Sequence, residues 1–281
     1  MLNVTPTTHN VLEALALYRY MTPAQMLSAG VTKDRSHLYE NLRRLSRGQG
    51  SPIGAMDFGT LAGHGRLPVV YYLKKKGAEI LADATQRDNI EYTKHRAKYH
   101  NDYFHRIDSV DSHIIIRKWA AQNEIDIDFF RAYYEHRGAN HGGTGERLQA
   151  LTTVWTNYKR ITPDAIFKFT TPDGASRLCV LEISRRMETK RVTEQLARHL
   201  EAFEDDSFGQ AFKYPHMHRL LWVFDSKNAL ERVQERALTL PTLERWQKAI
   251  FFKTLDDVKS NFLAGWQSPL ANSISRPRLL F

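Results

Sequence analysis

Two carboxylates, Asp164 and Glu182, bracket a stretch whose composition and turn chemistry set them opposite each other. Apolar runs with strand composition flank Pro172-Asp173-Gly174, a turn tripeptide in which Pro presets φ and Gly accepts a positive φ. A turn centred near Asp173 pairs residues whose numbers sum to about 346, which puts Asp164 across from Glu182 with Cβ atoms about 4.5–5.5 Å apart. Carboxylates that close repel each other unless a cation lies between them. A hard divalent ion, Mg²⁺ or Mn²⁺, held by carboxylate, carbonyl and water oxygens suits such a pair, and it can generate hydroxide or stabilise a phosphoryl transition state. The plainer reading is an Asp serving a turn and a Glu at a solvated strand end.

Few other residues could assist this pair. Lys168 shares the face of Asp164 but lies four residues along the strand, about 13 Å away, whereas Lys190 on the following helix can reach inward as a catalytic cation. Arg185 is adjacent, yet a guanidinium stays protonated and does not act as a base. Glu135 and Glu146 are the acids available as an extra ligand, although both read as surface residues. A second pattern, His216-Met217-His218, has the His-apolar-His spacing used by nicking enzymes that attack with a tyrosine; Tyr103, Tyr133, Tyr134 and Tyr158 would be its candidates. It follows Pro215, precedes an apolar run and has no tyrosine downstream, so leading into a strand fits it better. The single cysteine, Cys179, excludes an internal disulfide and reads as a packed small side chain.

The 281 residues are 42% hydrophobic, enough for one large core or two modest ones. No run of about 18 apolar residues occurs, and the amino terminus lacks the pattern of a signal peptide, so the expectation is a soluble, cytoplasmic chain with no membrane partner. A net charge of +9 and a pI of about 9.6 point to a polyanion as partner. The excess is concentrated: residues 1–100 hold 14 Lys/Arg against 8 Asp/Glu, the rest 26 against 23.

In that basic third, apolar spacing predicts a helix over 9–21. Thr22-Pro23-Ala24-Gln25 supplies an N-cap, a first-position Pro and a capping-box Gln for a second helix ending at Gly30. A third helix, Asp34 to Arg47, buries Leu38, Leu42 and Leu45 and turns Arg35, Ser36, Tyr39, Arg43 and Arg47 outward. Strand-like runs at 53–58 and 67–73 flank a glycine-rich loop with His64 and Arg66, and a helix follows at 78–84. The order is that of a winged helix-turn-helix, with the third helix in a major groove of double-stranded DNA and His64 and Arg66 on the wing near phosphates.

Polar residues 86–98 read as a linker. Beyond it come an amphipathic helix at 103–122, a strand at 125–134, a loop at 138–145, the carboxylate hairpin, a helix at 188–204, a strand at 219–224, a helix at 226–239 and a strand at 249–254. The predicted fold class is therefore α+β, with a winged helix-turn-helix at 1–85 followed by a restriction-endonuclease-like α/β domain at 99–281, because helix, three strands, helix, strand is the order of that core.

Pro163-Asp164, the hairpin and Leu181-Glu182-Ile183-Ser184-Arg185 resemble the motif of PD-(D/E)xK nucleases. Together with 72–81 as a wing exit and 99–105 as the start of the second domain, they make most of the chain resemble the replication-relaxation family of plasmid proteins and the related MobC-type relaxases. The resemblance implies binding at a plasmid transfer or replication origin and, in relaxase members, site-specific metal-dependent nicking; a homodimer is compatible with it. PD-(D/E)xK nucleases carry a Lys two residues after the Glu, where this chain has Ser184. The rival expectation is a non-catalytic DNA-binding regulator of plasmid replication or transfer built on a degenerate nuclease fold.

Overall fold

A computed structural model describes residues 4–93, 102–137, 149–157, 159–185 and 188–270. The chain is mixed α and β and divides into two compact units, residues 1–114 and 115–281. Among the described residues no helix is long and apolar enough to cross a membrane.

In the first unit, α1 (Pro6–Tyr18) starts three residues before the apolar periodicity suggests, because Thr5 caps it and Pro6 takes its first turn. Arg19 leaves the helix at φ 67°, and Tyr20–Met21 (β1) is free to pair with a strand. The expected capping box opens α2 (Pro23–Ser28): the Gln25 N–H donates to Thr22 Oγ1 (3.2 Å) and the Thr22 N–H to Gln25 Oε1 (2.9 Å). Asp34 caps α3 (Arg35–Ser46) by accepting from the His37 N–H (2.9 Å), and Leu38, Leu42 and Leu45 are wholly buried.

Then come β2 (Ile53–Met56), the short ladder β3 (Thr60–Leu61) with β4 (Gly65–Arg66), and β5 (Val70–Leu73). The antiparallel sheet runs β1-β5-β2. The next helix, α4 (Lys75–Thr85), begins earlier than its sequence suggests and includes Gly77, which does not break it. A Cβ on Gly77 would lie 2.3 Å from the Pro52 carbonyl oxygen, so the glycine permits a close approach.

Residues 86–93, polar enough to read as linker, are tied down: Arg87 pairs with Glu13, Glu91 with Arg19, and the Thr93 N–H donates to the Leu73 carbonyl (3.0 Å). The rest of the expected linker, 94–98, lies outside the described residues. The long helix α5 (Tyr103–Gln122) has the expected bounds, and its first half belongs to this unit, where Gln25 Nε2 donates to the Ile107 carbonyl (3.0 Å) and to Asp111 Oδ1 (2.9 Å).

The second unit is built on β6 (Asp126–Ala132), the two-residue ladders β7 (His136–Arg137) with β8 (Gln149–Ala150) and β9 (Val154–Trp155) with β10 (Arg160–Ile161), then the hairpin β11 (Ala165–Thr170) and β12 (Ser176–Ser184). Helices α6 (Thr189–Glu204) and α7 (Ser207–Phe212) lead to β13 (Arg219–Phe224), and α8 (Lys227–Ala237) with α9 (Leu243–Trp246) leads to β14 (Ile250–Thr254) and α10 (Leu255–Ser260). The sheet order is β14-β13-β12-β11-β6, antiparallel from β6 to β12 and parallel from β12 to β14. Parallel neighbours need helical crossovers, which α6–α7 and α8–α9 supply. On one face Ile166, Val180, Trp222 and Phe252 pack with Val192, Leu196 and Val233; on the other Phe167, Leu181, Val223 and Phe251 pack with Ile116, Trp119 and Trp266.

Candidate functional site

The hairpin register is the one its turn predicts. Ala165 pairs with Leu181 and Thr170 with Ser176, so one step further Asp164 stands opposite Glu182. The row extends in both directions. Ala132 pairs with Ala165, which sets Tyr133 beside Asp164, and the Tyr133 N–H donates to the Asp164 carbonyl (2.9 Å); Glu182 in turn pairs with Trp222. Residues opposite each other in a sheet share a face, so Tyr133, Asp164, Glu182 and Trp222 project together.

Asp164 Oδ2 also accepts from the Ile183 N–H (2.6 Å), which fixes the carboxylate against the strand carrying Glu182. Glu182 is only 2% exposed. Its Oε1 lies 2.6 Å from Nε2 of the fully buried His199, and Gln195 hydrogen-bonds the same carboxyl. Burial first, and then the neighbouring Asp164, push Glu182 well above the usual carboxylate range, while burial pulls His199 down to about 3. The short Glu182–His199 contact is a buried hydrogen bond between a carboxyl and an imidazole, and burial disfavours the charged form of each. Both shifts name the same cost: this site is too dry to carry charge unaided.

The other expected helpers lie elsewhere. Lys190 is exposed and sits nine residues before His199, about half a turn round the helix from it at 3.6 residues per turn. Its side of α6 is not the side that faces Glu182. Ser184 is buried and its Oγ accepts from the Trp222 indole N–H (2.8 Å), so a structural hydrogen bond fills the position where a nuclease lysine would be. Lys168 pairs with Asp128 (2.7 Å), and Glu135 Oε2 accepts from the Ala132 N–H (2.8 Å). Glu146 and Tyr158 lie outside the described residues.

Of the remaining tyrosines, Tyr133 alone belongs to the carboxylate row. Tyr103 is buried, donates to the Pro68 carbonyl (3.1 Å) and is pushed up to about 12 by burial, and Tyr134 is also buried. His218 is buried and stacked on Phe203 at 4.1 Å, whereas His216 lies against the edge of Tyr214, so the pair leads into β13. Cys179 is buried, its thiol pushed up to about 12. Among the described residues no group of three or more His, Cys, Asp or Glu side chains is placed to hold a metal. Asp164 and Glu182 would supply two carboxylate ligands to a divalent ion, with water completing its shell.

A second candidate surface lies on α3. Arg35, Ser36, Tyr39, Arg43 and Arg47 are exposed, and the Arg35 guanidinium lies over the Tyr39 ring (5.6 Å to the centroid). Arg44, one residue from Arg43, is exposed as well, but its guanidinium donates to Thr8 Oγ1 (2.8 Å) and Asn41 Oδ1 (2.9 Å) of its own chain. On the β3–β4 loop the two expected contacts are engaged by their own chain: Arg66 pairs with Asp57 (2.7 Å), and the His64 ring lies 4.6 Å from that of Phe104.

No protein-family model matches the chain, and neither a curated protein nor a solved structure matches it.

Proposed function

We propose that the protein binds double-stranded DNA at a plasmid replication or transfer origin, as a regulator whose second unit is a PD-(D/E)xK-like body without the catalytic lysine. The observation that carries this reading is α3, where three leucines are fully buried while Arg35, Tyr39, Arg43 and Arg47 remain exposed. The order α1, β1, α2, α3, β2, β5, with β1 pairing to β5 and a short ladder at the loop tip, supports a winged helix-turn-helix. In the second unit the succession α5, β6, β11, β12, α6, β13 and the carboxylates at the hairpin base support the nuclease-like reading.

Replacing Arg35, Arg43 and Arg47 together with Ala tests it. Each lost phosphate contact should reduce the slope of log affinity against log salt by roughly 0.9, so duplex binding should weaken and its salt dependence flatten while circular dichroism stays unchanged. An unaltered slope would remove α3 as the DNA-contacting element. The second reading, slow nicking assisted by Mg²⁺ or Mn²⁺ at Asp164 and Glu182, is favoured by the one observation that these carboxylates share a row.

A further inference from the structure

Trp155 is 65% exposed, whereas Trp119, Trp222 and Trp266 are buried and Trp246 is half-buried with its N–H donated to Glu204 (2.7 Å). Trp155 ends β9 and pairs directly with Arg160 of β10, while the adjacent pair, Val154 with Ile161, is buried. Trp155 and Arg160 therefore share the outer face of the ladder.

The hairpin that carries them is braced at four points. The Thr156 N–H donates to the Lys159 carbonyl (2.8 Å), the Lys159 N–H to Thr156 Oγ1 (2.9 Å), the Asn157 N–H to Asp205 Oδ2 (2.8 Å), and the hydroxyls of Thr153 and Thr162 meet at 3.0 Å. A ring held on so fixed a support does not escape water by local collapse. The charges nearby are mixed, Lys159 and Arg160 against Glu201 and Asp205. Lys159 faces Glu201 at 4.0 Å and Asp205 is held by Asn157, but Arg160 is exposed and forms no ion pair among the described residues. Asp164 follows Arg160 by four residues, beyond the end of β10.

We infer that Trp155 and Arg160 form a stacking platform for single-stranded nucleic acid, the indole receiving a base and the guanidinium a phosphate. Single-strand sites combine aromatic faces with cations that meet the backbone, and stacking tolerates any base because every base has a π-face. A duplex keeps its bases stacked on each other, so the ring selects an unpaired strand. The inference rests on the reading of the protein as one that acts on DNA.

Titration of wild type with a fluorescein-labelled oligothymidylate, read by anisotropy and by quenching of tryptophan emission, tests it. Wild type should bind with quenching. Trp155→Ala should weaken binding about tenfold to a hundredfold, the range expected for loss of one base stack, Trp155→Phe should retain most of it, and Arg160→Ala should weaken it with a shallower salt dependence. Duplex affinity, carried by α3, should not change in any of the three. Wild type that binds duplex but not oligothymidylate would overturn the platform and leave the duplex reading standing; wild type that binds oligothymidylate with quenching but not duplex would support the platform and overturn the duplex reading. Equal oligothymidylate affinity in wild type and Trp155→Ala would also overturn it. So would sedimentation showing that Trp155→Ala merely separates a dimer, for the ring would then be a contact between two copies.

Discussion

His199 and His218 meet the cost of burial in the same way, by staying neutral. Burial pulls both down to about 3 from an ordinary 6.5, and His218 Nε2 and His199 Nδ1 have no hydrogen-bond partner. The unfolded chain takes up protons at these positions below about pH 6.5 and the native chain does not, so their stability contribution is complete above that pH and is lost as pH falls towards 3. Glu182 works in the opposite sense: its raised pKa favours the native state at low pH, and that contribution is lost as pH rises through the folded value. His218→Phe keeps the ring on Phe203 and removes the stranded nitrogen. It should gain about 1–3 kcal/mol, the usual cost of one buried unsatisfied group, and flatten the acid limb of a urea-midpoint profile. An unchanged acid limb would show that His218 is not among the groups that protonate on acid unfolding. The same dryness bears on Ser184→Lys. The substitution sacrifices the bond from Trp222 and buries an ammonium, so it should destabilise the protein, not equip it as a nuclease.

At the scale of elements, Gly77 shows where local preference and packing disagree. Ala is the better helix former by about 1 kcal/mol, yet in α4 its methyl would lie 2.3 Å from the Pro52 oxygen and 2.6 Å from Leu73 Cδ1. Overpacking wins: Gly77→Ala should cost about 1–3 kcal/mol in chemical denaturation, and a stabilised variant would mean that the Pro52 turn yields easily. The sequence alone could not reveal this contact, since a glycine beside three lysines reads as a helix boundary. The carboxylate row was more legible. A Pro-Asp-Gly turn and two apolar strands determine a register, and that register alone aligns Asp164 with Glu182. The ladder of β1 on β5 was hidden because two residues carry no periodicity. His199 was hidden too: on α6 it lies in a stripe with Val192, Leu196 and Phe203, and only the crossover that lays α6 on the sheet aims it at Glu182. Arg43 and Arg44 look equivalent in sequence and both are exposed, and the Thr8–Asn41 network shows which of them is tied to its own chain.

For the whole molecule, the proposed DNA binding and the proposed metal response should be separable. Six of the nine excess positive charges lie in residues 1–100, whereas Asp164 and Glu182 belong to the second unit. The proposed regulator should therefore bind a duplex without metal, and metal should act on stability. A divalent ion that binds only the native state stabilises it by about 2.7 kcal/mol at a hundred times its Kd, so Mn²⁺ should raise the melting temperature of wild type. Asp164→Ala combined with Glu182→Gln should remove that rise and leave duplex affinity unchanged. With Ser184 bonded to Trp222 and Lys190 turned outward, neither of these positions brings an ammonium to the carboxylates among the described residues, and supercoiled plasmid bearing the cognate site should stay intact with Mg²⁺ or Mn²⁺. Nicking by wild type that disappears in Asp164→Ala while duplex affinity persists would replace the regulator with the nuclease, because metal assistance acts on the transition state and not on recognition.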